Sequence, residues 1–157
     1  MHYPIPNRFS RDWALLPLRL AIGYGFMAHG FAKWSRGPAG FAALLHQIGV
    51  PFPLATAWMV TLLELFGGLA ILAGVFVAIA SVPLIISMVV AMMTVHLRYG
   101  FSSVNTIGLT PSGPIFGPPG YEIDLLYIGG LIALAVLGTG PWSVGRWLRE
   151  RRAMADR

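Results

Sequence analysis

The sequence predicts an all-α integral membrane protein, a four-helix bundle built by a single domain over residues 1–157. Hydrophobic residues make up 56% of the chain and charged residues only 11%, against about 45–50% and about 25% in soluble domains. The mean hydropathy is +0.70. Crossing the hydrocarbon core takes about 20 apolar residues in a helix, and four stretches approach this length: 13–32, 55–73, 75–96 and 123–138.

The first predicted helix, 13–32, carries Arg19 inside its apolar run. An ionised side chain at the bilayer centre costs roughly 2.5–3.5 kcal/mol on insertion scales, so it usually faces the interior of a bundle. At 3.6 residues per turn, Arg19, His29 and Lys33 fall on one side of this helix. We therefore expect that side to line a cavity.

The segment that follows predicts a short interfacial helix. An amphipathic piece, 41–48, stands between Gly37-Pro38 and Pro51-Phe52-Pro53. Such a piece lies on the membrane surface, and the prolines make a rigid turn into the next helix.

The second and third helices, 55–73 and 75–96, are joined by a very tight turn at Gly74, which forces an antiparallel hairpin. Glu64 stands in the middle of the second helix and is its only ionisable residue. By the same cost argument, Glu64 should face the bundle interior.

The loop 97–120 is rich in Gly, Pro, Ser and Thr and ends in Gly117-Pro118-Pro119-Gly120, which predicts an ordered cap or short hairpin. The fourth helix, 123–138, follows it. After a Gly-Pro stop, the basic tail 144–157 is expected to begin as a helix.

Positive charge sets the expected orientation. The sequence pI is about 10.2, but the basic residues form no nucleic-acid patch and cluster at the chain ends: Arg8 and Arg11, then Arg146, Arg149, Arg151, Arg152 and Arg157. By the positive-inside rule both termini are cytoplasmic, in a bacterial-type inner membrane. The arginine-rich tail should hold anionic membrane lipids.

Metal and thiol chemistry find little support. The chain has no cysteine, which excludes disulfides and thiolate ligands. Met88, Met92 and His96 recur every four residues, and with Met27 and His29 they could form a copper site. Methionines in apolar helices usually fill packing gaps, so no metal is predicted.

Small residues recur four apart at Ala21/Gly25, Ala70/Gly74 and Gly129/Ala133, and Gly67-Gly68 follows Glu64. This spacing allows helices to approach closely. We expect close packing within one subunit, with a homo-oligomer contact as the alternative.

Counting the helical rise along each span brings six polar side chains to one outer rim: His29, Lys33, His96, Arg98, Glu122 and Asp124. Glu64 should lie roughly 13 Å below that rim, and Arg19 roughly 9 Å above the inner surface. A long guanidinium stem can close the remaining gap, so an Arg19–Glu64 ion pair is expected.

Such a cavity suits a quinone-type ligand, whose carbonyls need polar partners and whose ring needs aromatic and aliphatic walls. From site character, the candidate contacts are His29, Glu64, His96 and Tyr121. In the alternative interpretation, the buried pair only fixes helix register and the rim residues lie in headgroup water.

The order of these polar and glycine positions resembles the DoxX family of small four-helix membrane proteins. The pieces are Arg19-xxx-Gly23-xx-Phe26-xx-His29-Gly30-xx-Lys33, Ile48-Gly49-Val50-Pro51, Leu63-Glu64-xx-Gly67-Gly68, His96 with Gly100-Phe101, Tyr121-Glu122 and Gly138-xx-Pro141. The resemblance covers nearly the whole chain. It implies a four-helix bundle with cytoplasmic termini, in a family that includes relatives of the small subunit of thiosulfate:quinone oxidoreductase and membrane partners of redox-detoxification enzymes.

The family's polar positions fall here on Arg19, Lys33, Glu64, His96 and Glu122. One departure is the loop after His96, which is longer and richer in Pro and Gly than the family pattern leads us to expect. The resemblance therefore implies the architecture more strongly than the ligand.

We therefore expect a membrane redox-associated subunit that binds a quinone near the outer face and docks an oxidoreductase partner. Glu64 and His96 would be the catalytic residues, which exchange protons with the ligand as its redox state changes. The ligand would be held by Arg19, His29, Lys33, Tyr121 and Glu122, with Glu122 and Lys33 bracing the rim. One alternative is a structural accessory subunit of a larger membrane complex, without ligand chemistry of its own. A second is a small transporter or proton-coupled carrier, for which the apolar inner half of the bundle offers little support. With neither cysteine nor a nucleotide motif, turnover by the chain alone is not predicted.

Overall fold

The computed structural model describes residues 8–155. Residues 156–157 of the expected basic tail, and the side chains of Arg8, Arg11, Arg149 and Arg152, lie outside this description. The helices are α1 Arg8–Arg36, α2 Pro38–Gln47, α3 Pro53–Ala73, α4 Val77–Ala91, α5 Glu122–Leu137 and α6 Val144–Ala155. A π-helical turn, Met92–His96, and a 3₁₀ turn, Leu97–Tyr99, continue α4. Strands β1 Thr106–Thr110 and β2 Gly113–Phe116 pair antiparallel.

Four helices pack around a shared apolar core. α1 contacts α3 and α5, and α4 contacts the same two helices. The core residues are Leu15, Ile22, Phe26, Ile71, Val77, Leu84, Leu131 and Leu134. The short helix α2 packs on α3 through a second cluster, Ala42, Leu45 and Ala57. The short helix expected at 41–48 and the hairpin expected within 97–120 are thus both present.

Glycines set the closest helix contact, between α1 and α3. A Cβ added to Gly23 would meet the backbone of Leu72, one at Gly30 that of Leu65, and one at Gly68 that of Met27. All three contacts belong to one antiparallel register. α1 and α3 therefore lie backbone to backbone, which only residues without a side chain allow.

The small-residue pairs expected from sequence behave differently. Gly25 lies against the Tyr127 hydroxyl of α5, whereas a Cβ at Gly129 would meet open space. Ala21 is exposed. The four-residue spacing thus marks a close contact at Gly25 but not at Gly129. The closest approach of two helices uses the seven-residue spacing of Gly23 and Gly30 instead.

Within the described part of the chain, two helical segments are long and apolar enough to cross a membrane by length and composition: Pro53–Ala73, and Val77–Tyr99 with its terminal turns. In the most apolar 18-residue stretch of each segment, 28% of the first and 17% of the second is buried inside the protein. A core helix of a soluble protein would be mostly buried, whereas these expose large side chains such as Phe66, Ile79 and Ile86. α1 is interrupted by polar residues, and α5 has only 16 residues.

Below, "terminal end" denotes the end of the packed helices where α1 begins and α6 lies. "Hairpin end" denotes the opposite end, where α4 passes into β1 and β2 and α5 begins. Residue 12 of α1 and residue 146 of α6 approach each other at the terminal end.

Candidate functional site

Glu64 lies in the interior of α3 and pairs with Lys33 of α1. Its Oε2 accepts a hydrogen bond from the Lys33 ammonium group, and the residue is only 7% exposed. The ammonium nitrogen also lies 5.1 Å from the centre of the Phe41 ring of α2. One cation therefore links α1, α2 and α3, and it gives the buried carboxylate the opposite charge that a low-dielectric site requires.

The expected Arg19–Glu64 ion pair is wrong. Arg19 is buried at the terminal end, where its Nη1 donates to the Thr139 carbonyl at 2.6 Å and its Nη2 to the Trp142 carbonyl at 3.1 Å. In the register that places Gly23 beside Leu72, Arg19 lies level with the turn after α3, about 18 Å along the axis from Glu64. The depth estimate failed because it counted each helix from an assumed membrane surface instead of from the helix contact.

Arg19 fastens the segment between α5 and α6 to the start of the bundle. A third hydrogen bond, at 3.4 Å, reaches the Pro141 carbonyl. Gly74 closes α3 in the left-handed conformation, and a Cβ there would strike Ser143 and the Arg19 guanidinium. Arg19 therefore has a structural role: it holds the segment after α5 against α1, at the end of the molecule opposite to His96.

His96 and Asp124 form the second polar pair of the core helices. The imidazole Nδ1 lies 2.7 Å from Oδ2 of Asp124, which is fully buried in the first turn of α5. The amino end of a helix favours a negative charge. His96 closes the π-helical turn of α4, a distortion often found at functional sites.

The chemistry of this pair follows from its hydrogen bonding. A carboxylate only accepts, so it favours the proton on Nδ1, and Nε2 of the neutral ring is then an acceptor. Oδ1 of Asp124 is buried and has no hydrogen-bond partner among the described residues. The pair can therefore take up a proton on the imidazole while the carboxylate stabilises the resulting charge.

Sequence reasoning placed Asp124 at the rim but did not select it as a site residue. The available signal was a pair of acids, Glu122 and Asp124, in the first turn of an otherwise apolar helix. Only the packing of α5 against α4 shows which of the two acids is buried.

The remaining expected site residues are not members of these two pairs. Glu122 accepts a hydrogen bond from the Ser103 backbone N–H at 2.9 Å, so it braces the loop and does not contact Lys33. Tyr121 packs edge-on against Phe101 with ring centres 5.5 Å apart. His29 is exposed on α1.

The structure thus pairs Glu64 with Lys33 across α1 and α3, and His96 with Asp124 across α4 and α5. Within residues 8–155, no group of three or more His, Cys, Asp or Glu side chains is arranged to hold a metal ion. Among the described residues of the core helices, Glu64 with Lys33 and Asp124 with His96 are thus the acid–base pairs.

A cleft of about 470 Å³ lies at the terminal end, where the sequence predicted a lipid contact of the arginine-rich tail but no cleft. It is lined by Asp12, Trp13, Pro141, Trp142, Ser143, Arg146 and Trp147. α5 runs from Asp124 at the hairpin end toward this cleft, so the two features occupy opposite ends of the molecule.

Comparison with known proteins identifies relatives. The sequence profile of the DoxX family matches residues 14–97, from the second turn of α1 to the residue after His96. The uncharacterized membrane protein Rv3486 of Mycobacterium tuberculosis is 30% identical over 149 residues, which cover 88% of this chain and 83% of that protein. No solved structure gives a significant match.

Proposed function

The chain belongs to the DoxX family of membrane proteins, and from this premise we propose that it is a membrane redox-associated subunit that binds a quinone-type ligand beside His96. A docked oxidoreductase would supply the electrons. The observation that carries the proposal is the His96–Asp124 pair, a hydrogen-bonded acid and base among apolar helices.

The proposal includes a topology in which α1, α3, α4 and α5 all cross the membrane as a four-helix bundle. Their mutual packing around one core supports it, as do the apolar side chains on their outward faces. Arginine is concentrated at the terminal end, which the positive-inside rule assigns to the cytoplasm. The hairpin end, with His96, is then the outer end.

Reduction of a quinone to a quinol takes two electrons, supplied by the docked partner, and two protons. We assign one proton to Nε2 of His96, which would hydrogen-bond a quinone carbonyl while Asp124 holds the ring in place and stabilises the imidazolium. The other would come from the Lys33–Glu64 pair through intervening water, because that pair lies deeper in the bundle than His96. Both pairs would regain protons from water at the outer face.

Quinone binding to the purified protein tests this proposal. With a short-chain ubiquinone analogue added to the protein in detergent, we expect His96→Ala and Asp124→Asn each to weaken binding about tenfold, the value of a hydrogen bond to a charged group. His46→Ala is the matched control, since His46 is exposed on α2. Equal binding by His96→Ala and His46→Ala would overturn the assignment.

The accessory-subunit alternative makes the opposite prediction for the same variants. If the chain only builds a larger complex, His96→Ala and Glu64→Gln will leave the activity of that complex unchanged, and native mass spectrometry will detect a co-purifying protein without a quinone. Loss of activity in His96→Ala together with a stoichiometric quinone supports the redox role.

A further inference from the structure

The cleft at the terminal end has features that neither the quinone site nor the family membership explains. Two of its walls are tryptophans, Trp13 of α1 and Trp142 of the segment before α6, whose rings meet edge to face at 5.1 Å. Trp147 of α6 adds a third indole. Its volume of about 470 Å³ falls within the range of small-molecule sites, about 300–1,000 Å³.

One negative and one positive side chain face each other in this cleft. Asp12 Oδ2 and Arg146 Nη1 are 3.8 Å apart, and both side chains are about half exposed. The two atoms are farther apart than in a direct charge-assisted hydrogen bond, which is about 2.7–2.9 Å long. A ligand that carries both charges would find an opposite charge for each of them in this cleft.

The surroundings of the cleft belong to a membrane interface. Along α6, the exposed apolar side chains Val144, Trp147 and Leu148 recur with helical spacing, and the Arg151 guanidinium stacks on the Trp147 ring at 4.0 Å. Tryptophan and arginine in this arrangement are typical of helices that lie at the headgroup level. Just before the cleft, Val136 and Leu137 of α5 are exposed and can contact acyl chains.

We propose that this cleft binds the head group of an aminophospholipid, with its ammonium group at Asp12 and its phosphate at Arg146. A purely anionic head group would meet the Asp12 carboxylate, which repels it. A choline head group lacks N–H donors, whereas a primary ammonium has three and can donate to the carboxylate. The pairing of the two charges thus favours ethanolamine over glycerol and choline head groups.

Lipid binding measured by native mass spectrometry tests the proposal, with the full chain delipidated in detergent. The probes are phosphatidylethanolamine, phosphatidylglycerol and phosphatidylcholine with the same acyl chains. We expect the wild type to prefer phosphatidylethanolamine about fivefold over both others, as one partly exposed charge contact allows. Asp12→Asn should abolish the preference over phosphatidylglycerol, and Arg146→Gln should weaken the binding of all three lipids.

Arg151→Gln is the matched control, because Arg151 lies on the same helix but does not line the cleft. It should leave the order of the three lipids unchanged. Equal binding of the three lipids by the wild type, or an unchanged preference in Asp12→Asn, would overturn the proposal. Thermal unfolding without added lipid confirms that each variant is folded, and Arg146→Lys, which keeps the positive charge, should retain most of the binding.

Discussion

Each buried charge of the core helices has a partner of a different kind. Glu64 has the ammonium group of Lys33, Asp124 has the imidazole of His96, and Arg19 has backbone carbonyls. In a low-dielectric interior an unpaired charge costs several kcal/mol, so these partnerships are conditions of folding as well as resources for chemistry. For such a residue, an experiment must separate its contribution to stability from its contribution to chemistry.

The Lys33–Glu64 pair offers such a test. Lys33→Met leaves a buried carboxylate without its counter-charge, and we expect the free energy of unfolding to fall by about 2 kcal/mol. Replacing both partners, Lys33→Met with Glu64→Met, should restore most of that loss, because no unpaired charge remains. Thermal unfolding in detergent measures both variants. A double variant as unstable as the single one would show that the pair stabilises the fold through more than charge neutralisation.

At the scale of elements, the contact between α1 and α3 organises the molecule. Gly23 and Gly30 of one helix and Gly68 of the other allow the backbones to touch. This contact fixes the register that brings Lys33 to Glu64 and carries Arg19 to the turn after α3. The glycines therefore determine which charges can meet, although they carry no chemistry themselves.

A pair of identical substitutions tests the role of this interface. Gly68→Ala places a methyl group against the backbone of α1 at Met27, and we expect destabilisation of about 3 kcal/mol because main chain cannot yield as a side chain does. Gly129→Ala points into open space and should leave stability unchanged or raise it by up to about 1 kcal/mol. Thermal unfolding followed by circular dichroism compares the two.

Similar stability of Gly68→Ala and Gly129→Ala would mean that α1 and α3 can separate without cost. Gly129→Ala also bears on assembly. If that variant folds normally but no longer oligomerises, the Gly129/Ala133 face is a contact between subunits.

At the scale of the whole molecule, the two ends differ in charge. No Asp, Glu, Lys or Arg occurs from Gly100 to Tyr121, the segment that contains the hairpin, whereas five arginines follow residue 145. A membrane protein with such asymmetry is oriented by its basic end. The proposed quinone site and the proposed lipid site then face opposite sides of the bilayer.

Cysteine labelling tests this orientation cleanly because the natural chain has no cysteine. Ser112→Cys, exposed in the turn between β1 and β2, should react with a membrane-impermeant maleimide added to intact cells. Ala153→Cys, exposed on α6, should react only after the cells are permeabilised. Labelling of both positions from the same side would rule out four spans with cytoplasmic termini.

The membrane class, the family, the positions of the main helices, the short helix before α3 and the hairpin after α4 could all be predicted from the sequence. These depend on composition and on local rules of apolar length, proline and glycine, which act within a few turns of chain. Which charges meet depends on how the helices pack. The Lys33–Glu64 pair and the position of Arg19 follow from the register of α1 and α3, which close glycine contacts set between residues 35 or more apart in the sequence. The choice of Asp124 over Glu122 follows from the packing of α5 against α4. The cleft between α1 and α6 likewise forms only where the two chain ends come together.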